Sequence, residues 1–280
     1  MTQKIAFQGA RGAFSHLACE TALPAYEALP CDSFSDTFDA VESGRADRAM
    51  IPVENSRAGR VADIHHLLPE RDLRIVAEHF QPVVHHLLAV PGARLEDIVS
   101  ASSHVQALSQ CRNFMREYNL QARVHADTAG AAADVAAQGD PKCAAIASTL
   151  AADIYGLHVL QSAVQDTSDN TTRFCVLAPK SPIPPNDGRP FITTLVFRLR
   201  SVPAALYKAL GGFATNGVNL TKVESYILDG SFQVAQFYAD IEGHPEQQSV
   251  QLALEELAFF SEEITLLGTY YAHSYRASEG

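Results

Sequence analysis

Five short polar stretches hold the side chains best suited to chemistry, and the chemistry they suit is binding an anion and donating hydrogen bonds to it. In Gly9-Ala10-Arg11-Gly12-Ala13-Phe14-Ser15, glycines at a strand-to-helix turn let the backbone approach an anion at a helix N-terminus. The stretch is neither GxGxxG nor a Walker loop, so a plain tight turn is its first reading. In Pro52-Val53-Glu54-Asn55-Ser56-Arg57-Ala58-Gly59, at a strand end opening toward a helix, Asn55 and Ser56 either donate to a carboxylate or cap the helix. In Ser103-His104-Val105-Gln106-Ala107-Leu108, Ser103 reads as an N-cap and His104 as a structural histidine or a ligand contact. Asp127-Thr128-Ala129-Gly130 is a helix start with its own cap. Asp166-Thr167-Ser168-Asp169-Asn170-Thr171-Thr172-Arg173-Phe174 is a polar run entering an apolar strand, either a solvated loop or a binding loop. His65-His66, His79 and His85-His86 suggest a metal by number alone. Adjacent histidines point apart, and neither HExxH nor a paired CxxC accompanies them, so no metal site is expected.

The first four stretches all follow strands and precede helices. Helix N-termini carry partial positive charge, so several converging on one cleft would hold a small dicarboxylate without a basic protein. The chain is acidic: 21 Lys and Arg against 32 Asp and Glu leave a net charge of −11 over 280 residues. An acidic chain without a basic cluster repels phosphate backbones, which argues against sequence-independent nucleic-acid binding. No apolar run approaches the roughly 20 residues that span a bilayer, and Met1 to Gly9 lacks the apolar stretch of a signal peptide. Cys19, Cys31, Cys111, Cys143 and Cys175 are scattered, which fits a reducing cytoplasm. The expectation is a soluble cytoplasmic protein with no membrane and no nucleic-acid partner.

The elements that must position these stretches alternate. Strands are expected at Lys4–Phe7, Arg48–Val53, Ile98–Ser102, Ala122–His125 and Cys143–Ala147. Helices are expected at Ala13–Leu23, His104–Tyr118, Thr128–Gln138 and Thr149–Tyr155. This order implies βαβ units and a parallel sheet. Arg74–Glu78 and Val83–Val90 lie close together without a helix between them, and Arg173–Leu177 is a late strand. A chain that leaves one sheet, builds a second and returns makes two lobes with a cleft, the default ligand site. Five prolines between Ala178 and Pro190 mark a semi-rigid linker. Beyond it, strand Phe191–Leu199, helix Pro203–Thr215, strands Val218–Leu228 and Phe232–Asp240 about an Asp229-Gly230 turn, helix Ser249–Phe260 and strand Ile264–Tyr271 give the ferredoxin-like order βαββαβ.

Phe7-Gln8-Gly9 through Ser15, Pro52 to Ser56, Ser103 to Leu108, Asp127 to Ala132, Ala144 to Ser148 and Thr172-Arg173-Phe174 occur in the order of a known family. From about residue 3 to 272 the chain resembles prephenate dehydratase with a C-terminal ACT regulatory domain. The resemblance implies a two-lobed, periplasmic-binding-protein-like α/β catalytic domain over 3–179, a linker over 180–190 and a ferredoxin-like ACT domain over 191–272. It implies conversion of prephenate to phenylpyruvate in L-phenylalanine biosynthesis with no metal or redox cofactor, feedback by L-phenylalanine, and a homodimer or homotetramer. By the same resemblance Thr172 is the catalytic residue, donating a hydrogen bond to the leaving oxygen, with Asn55 and Ser56 orienting the substrate. Ser15, Glu54, Ser103, Gln106 and Thr128 line the site. Arg173 offsets substrate charge or forms a structural ion pair, and Phe174 is first of all packing. Ala205, Leu206, Asn219, Leu220, Glu224 and Ser225 are the effector residues.

The sequence departs from the family pattern in places. Ala10 and Ala13 replace a proline and a threonine of the first motif, a form that also looks like arogenate dehydratases. The GAL motif appears as Ala204-Ala205-Leu206, and ESRP as Glu224-Ser225-Tyr226-Ile227. Arogenate dehydratase is therefore the same-class alternative, and a non-catalytic two-lobed sensor of small anions or amino acids is the different-class one.

Overall fold

A central strand of apolar residues organises the first sheet. β1 (Lys4–Gln8) buries Ile5, Ala6 and Phe7 completely, as a strand covered on both faces must. After helix α1 (Phe14–Ala22) comes β2 (Glu27–Cys31), and after α2 (Phe34–Glu42) comes β3 (Arg48–Asn55). Both strands pair with β1 in parallel, with Lys4 opposite Glu27 and Ile5 opposite Arg48. The computed structural model describes residues 2–61, 67–180, 182–227 and 235–278.

β2 and α2 have no counterpart among the expected elements. β2 contains Pro30 and is half-exposed, as an edge strand is, so it lacks an apolar run. The start of α2 was marked by Ser33, whose hydroxyl accepts from the Asp36 backbone N–H at 3.1 Å and donates to the Asp36 carboxylate at 2.7 Å.

The chain then makes the two-residue strand β4 (Gly59–Arg60), the long strand β5 (Leu73–Pro82) and β6 (His86–Ala89). The second sheet follows as β7 (Ser100–His104), helices α3 (Val105–Gln110) and α4 (Arg112–Glu117), β8 (Gln121–His125), α5 (Thr128–Gln138), β9 (Cys143–Ala147), α6 (Thr149–Tyr155) and β10 (His158–Gln161). β11 (Thr171–Pro179) returns to the first sheet. The strand orders are β2-β1-β3-β11-β5, with β4 on β3, and β10-β6-β9-β7-β8. β7 runs parallel to β8 and β9, whereas β6 runs antiparallel to β9 and β10. The second sheet is thus mixed rather than parallel, because β6 enters it without a crossover helix.

The expected helix His104–Tyr118 breaks at Cys111 for a non-local reason. The Gln110 carbonyl accepts from the Asp166 backbone N–H at 2.6 Å, and the Asp166 carboxylate accepts from the Asn113 N–H at 2.9 Å. A segment from far along the chain ends one helix and starts the next.

The backbone divides into two compact units, Met1–Arg60 with His79–Phe174 and Val61–Glu78 with Cys175–Gly280. The second contains β12 (Phe191–Leu199), α7 (Ala205–Thr215), β13 (Leu220–Ile227), β14 (Ala235–Glu242), α8 (Gln248–Phe260) and β15 (Ser261–Tyr271). Its sheet, ordered β13-β14-β12-β15, is antiparallel throughout. Leu195, Phe197 and Ile241 pack there with Phe213 of α7 and Leu257 of α8. This is the ferredoxin-like βαββαβ topology. α7 begins at Ala205 rather than Pro203 because Ala204 has φ +57°, a left-handed conformation that cannot continue a helix. The Asp229-Gly230 turn and the His65-His66 pair lie outside the described residues.

Within this second unit Gly268 of β15 sits against β5. A Cβ there would lie 2.1 Å from the Ile75 carbonyl oxygen, so backbone meets backbone with no room for a methyl group. Gly268→Ala is expected to destabilise the protein by about 2–3 kcal/mol, the cost of an overpacked contact that cannot relax. Thermal unfolding checks this, and an unchanged Tm would show that β15 and β5 separate freely.

Candidate active site

Asn55 gathers the site. It ends β3, and its Oδ1 accepts from the backbone N–H groups of Arg57 at 2.9 Å and Ala58 at 2.8 Å, which folds the chain back toward β4. The stretch after β3 is therefore a side-chain-stabilised turn and not the opening of a helix. With Oδ1 committed, Nδ2 must face the other way. It donates to Asn170 Oδ1 at 2.7 Å and to Thr172 Oγ1 at 2.9 Å. Thr172 is half-buried at the start of β11, and its hydroxyl accepts this bond, which leaves its own proton to be donated elsewhere.

Ser56 completes the join. Its hydroxyl donates to the Asp169 carbonyl at 2.9 Å and accepts from the Thr171 N–H at 3.0 Å, and Arg57 pairs with the Asp169 carboxylate. Ser56 is spent on backbone, so it positions the loop. Arg173 is 2% exposed and lies 3.9 Å from the Glu54 carboxylate, which makes it an internal ion pair across β3 and β11. Phe174, 1% exposed, is packing.

Two residues the sequence reading did not single out extend the cluster. Asn170 Nδ2 donates to Gln110 Oε1 at 2.8 Å, and His85 Nε2 lies 3.1 Å from the same oxygen. Asn170 stood inside the polar run already marked, and Gln110 stands four residues beyond Gln106 on one helix face, so both carried a legible signal. The Gln110 amide nitrogen is left to donate.

The glycine turn after β1 also meets the second sheet's α6 directly. Gly12 has φ +89°, and a Cβ on it would lie 2.9 Å from Ala151 Cα. Ser148 caps α6 through the Ala151 N–H at 3.1 Å and donates to the Gly12 carbonyl at 2.6 Å, while the Tyr155 hydroxyl donates to the Arg11 carbonyl at 2.7 Å. The Gly12 N–H is held by His16 Nδ1 at 3.0 Å, and His16 stacks on Phe7.

A model of the prephenate dehydratase family matches residues 5–182. The chain belongs to that family. It is a dehydratase, a carbon–oxygen lyase of aromatic amino-acid biosynthesis. A bifunctional N-acyl-homoserine lactone acylase/prephenate dehydratase of Komagataeibacter europaeus is 50% identical over 97% of both chains. Arogenate dehydratase 2 of Petunia hybrida is 41% identical over 97% of this chain and 72% of its own length. The prephenate dehydratase of Arthrobacter aurescens, solved with L-Phe, is 32% identical with a TM-score of 0.87, covering 96% of this chain and 90% of that one.

The remaining expected site residues of the dehydratase divide. Ser15, Gln106 and Thr128 stand in the first turns of α1, α3 and α5, and among the described residues no hydrogen bond joins them to Asn55. Ser103 is fully buried and donates to the Ile146 carbonyl at 2.5 Å, fastening β7 to β9. The cap of α3 is instead His104, which accepts from the Gln106 N–H at 3.3 Å. Asp127 caps α5 through the Gly130 N–H at 2.7 Å. Among the helices that start near these motifs, α1 has no side-chain cap, since Ala13 stands at that position.

In the second unit, Ala205 and Leu206 open α7 whereas Asn219 and Leu220 open β13. The helix that Ala205 opens is eleven residues long, about 16 Å of rise, and Asn219 lies beyond its C-terminal end. Asn219 donates to Glu242 at 3.2 Å, Lys222 to Glu224 at 2.8 Å, and Ser225 is exposed. Tyr226 is buried and accepts from Gln236 Nε2 at 2.8 Å, and burial pushes its phenol up.

Burial lowers the imidazole pKa of His16, His85 and His86 below the ordinary 6.5. Each binds fewer protons folded than unfolded, so their contribution is present above pH 6.5 and is lost as pH falls below it. The unfolding temperature is expected to drop between pH 7 and pH 5. A flat profile would show that these rings charge without leaving the fold.

Proposed function

We propose that this chain converts prephenate to phenylpyruvate, with loss of carbon dioxide and of the ring hydroxyl. The observation that carries the reading is the polarity of the Asn55–Thr172 bond: the threonine oxygen accepts, so its own proton remains to be donated. In the reaction the carbon–carbon bond to the ring carboxylate breaks, its electron pair enters the ring, and the hydroxyl opposite leaves with its bonding pair. The Thr172 hydroxyl donates a hydrogen bond to that departing oxygen. A threonine is a weak acid, so stabilising the leaving charge is its role rather than full protonation. The amide nitrogen of Gln110 is a second donor, and the open N-terminus of α1 beside Ser15 suits a substrate carboxylate.

Residues 3–179 act as the catalytic domain, 180–190 as a linker and 191–272 as an ACT regulatory domain taking L-phenylalanine. The ferredoxin-like topology and the phenylalanine-bound Arthrobacter relative support this. Because Ala205 and Asn219 lie at opposite ends of α7, the effector site is completed between two copies of a homodimer or homotetramer. Five buried cysteines, none joined in a disulfide among the described residues, suit the reducing cytoplasm.

Two further readings have specific support. Arogenate, which carries an amino group where prephenate has a keto group, is favoured by the petunia relative. Hydrolysis of an N-acyl-homoserine lactone is favoured by the Komagataeibacter relative. Steady-state turnover on all three compounds separates them.

Thr172→Ala is expected to lower kcat for prephenate by about 10²- to 10³-fold, the cost of one donor to a developing oxyanion, and Thr172→Ser to restore most of it. Near-normal turnover in the alanine variant would remove Thr172 from the reaction. Asn219→Ala is expected to weaken inhibition by L-phenylalanine while sparing uninhibited turnover; unchanged inhibition would place the effector elsewhere.

A further inference from the structure

We propose that His85 is a positioning residue for the dehydration: it fixes which way the Gln110 side chain points, and with it the donor polarity of the amide chain that ends on Thr172. The inference rests on the reading of Thr172 given above.

Three side-chain amides stand in series, Gln110, Asn170 and Asn55, before the threonine hydroxyl. An amide is nearly symmetric in shape, so such a chain fits its space in either of two senses. In the observed sense the Gln110 and Asn170 oxygens each face the next amide toward Thr172 and accept from it, and the Asn55 nitrogen donates both to Asn170 and to the hydroxyl. In the reversed sense Asn55 would present its oxygen, the threonine would spend its proton on that oxygen, and nothing would be left for the leaving group. The far end of the series is pinned by the Arg57 and Ala58 N–H groups on Asn55. The near end needs a donor aimed at Gln110 Oε1, and His85 Nε2 stands there at 3.1 Å.

The ring cannot easily turn away. His85 is 3% exposed, and its backbone N–H donates to Gln165 Oε1 at 3.0 Å while its carbonyl accepts from Val164 at 2.9 Å. Phe14, in the first turn of α1, meets the ring edge-on at 5.4 Å. Gln110 Oε1 already accepts from Asn170, so His85 Nε2 is the protonated nitrogen and Nδ1 carries the lone pair. That Nδ1 is buried and has no protein partner among the described residues. A ring held in place only for packing would not need a nitrogen there. What the imidazole adds over an apolar side chain is the one donor at Nε2.

The test compares His85→Leu, which removes the donor, with His85→Gln, whose amide nitrogen falls near the Nε2 position. Turnover on prephenate and on arogenate is read beside the side-chain amide NMR resonances of Asn55 and Asn170. In His85→Leu, kcat is expected to fall about tenfold or more, as when a buried acceptor loses its donor, and both amide resonances to shift. In His85→Gln both are expected to return toward wild type. Unshifted Asn55 and Asn170 resonances in folded His85→Leu would overturn the proposal, as would a lower Tm with kcat intact. If His85→Leu does not fold, His85→Asn replaces it, because its shorter amide cannot reach Gln110. Wild-type protein without turnover on either substrate would instead overturn the dehydratase substrate reading, and the resonances would still decide the role of His85.

Discussion

The site depends on one amide group. Asn55 accepts two backbone N–H groups on its oxygen and donates to Asn170 and Thr172 from its nitrogen. Both ends of the amide are bonded, so its orientation is shared with its partners, and a hydroxyl 117 residues away inherits that orientation. An alanine here would leave several polar groups without partners, whereas an aspartate would turn a donor toward Thr172 into an acceptor. The identity of residue 55 therefore sets the direction in which the threonine proton points.

That amide would be idle without a second wall, and the wall is brought close by the absence of side chains. Gly12 lets α6 approach the β1–α1 turn to within a distance that no other residue permits. The contact is then sealed by Ser148 and Tyr155, both donating to carbonyls of the turn. The run Cys143–Ala147 is wholly buried and is mostly alanine, so the helices around β9 also lie close. Small residues position the polar ones: the geometry of the donors follows from how near two backbones can come.

Much of this was legible in the sequence where the cause is local. β9, α5, α6 and β12 have the bounds expected from the sequence, α5 with the cap its Asp127 stretch implies. β2 was not legible because an edge strand carrying Pro30 shows no apolar run, although the Ser33-to-Asp36 cap of α2 was there to be read. The break at Cys111 was invisible because Asp166 causes it from 55 residues away. The pairing of Asn55 with Thr172 was likewise invisible to any local pattern; the family resemblance marked both residues but did not join them. Ser103 misled because a serine before a helix looks like a cap whether its hydroxyl faces the helix or, as here, a neighbouring strand.

The charge problem posed by an acidic chain has a physical answer in this arrangement. A chain of net charge −11 that handles a dicarboxylate would be expected to expose a cation at the site, and Arg173 is the obvious candidate by sequence. Its guanidinium is instead buried beside Glu54, so the pair is close to neutral and serves the β3–β11 junction. The donors gathered around Asn55 are dipolar instead, the Gln110 amide and the Thr172 hydroxyl, and the start of α1 is uncapped. Dipoles held rigidly suit this chemistry better than a free arginine. A strong cation beside the departing carboxylate would stabilise it in the ground state and oppose its loss as carbon dioxide. Fixed N–H and O–H groups can be aimed at the leaving oxygen alone, where charge grows as the ring becomes aromatic.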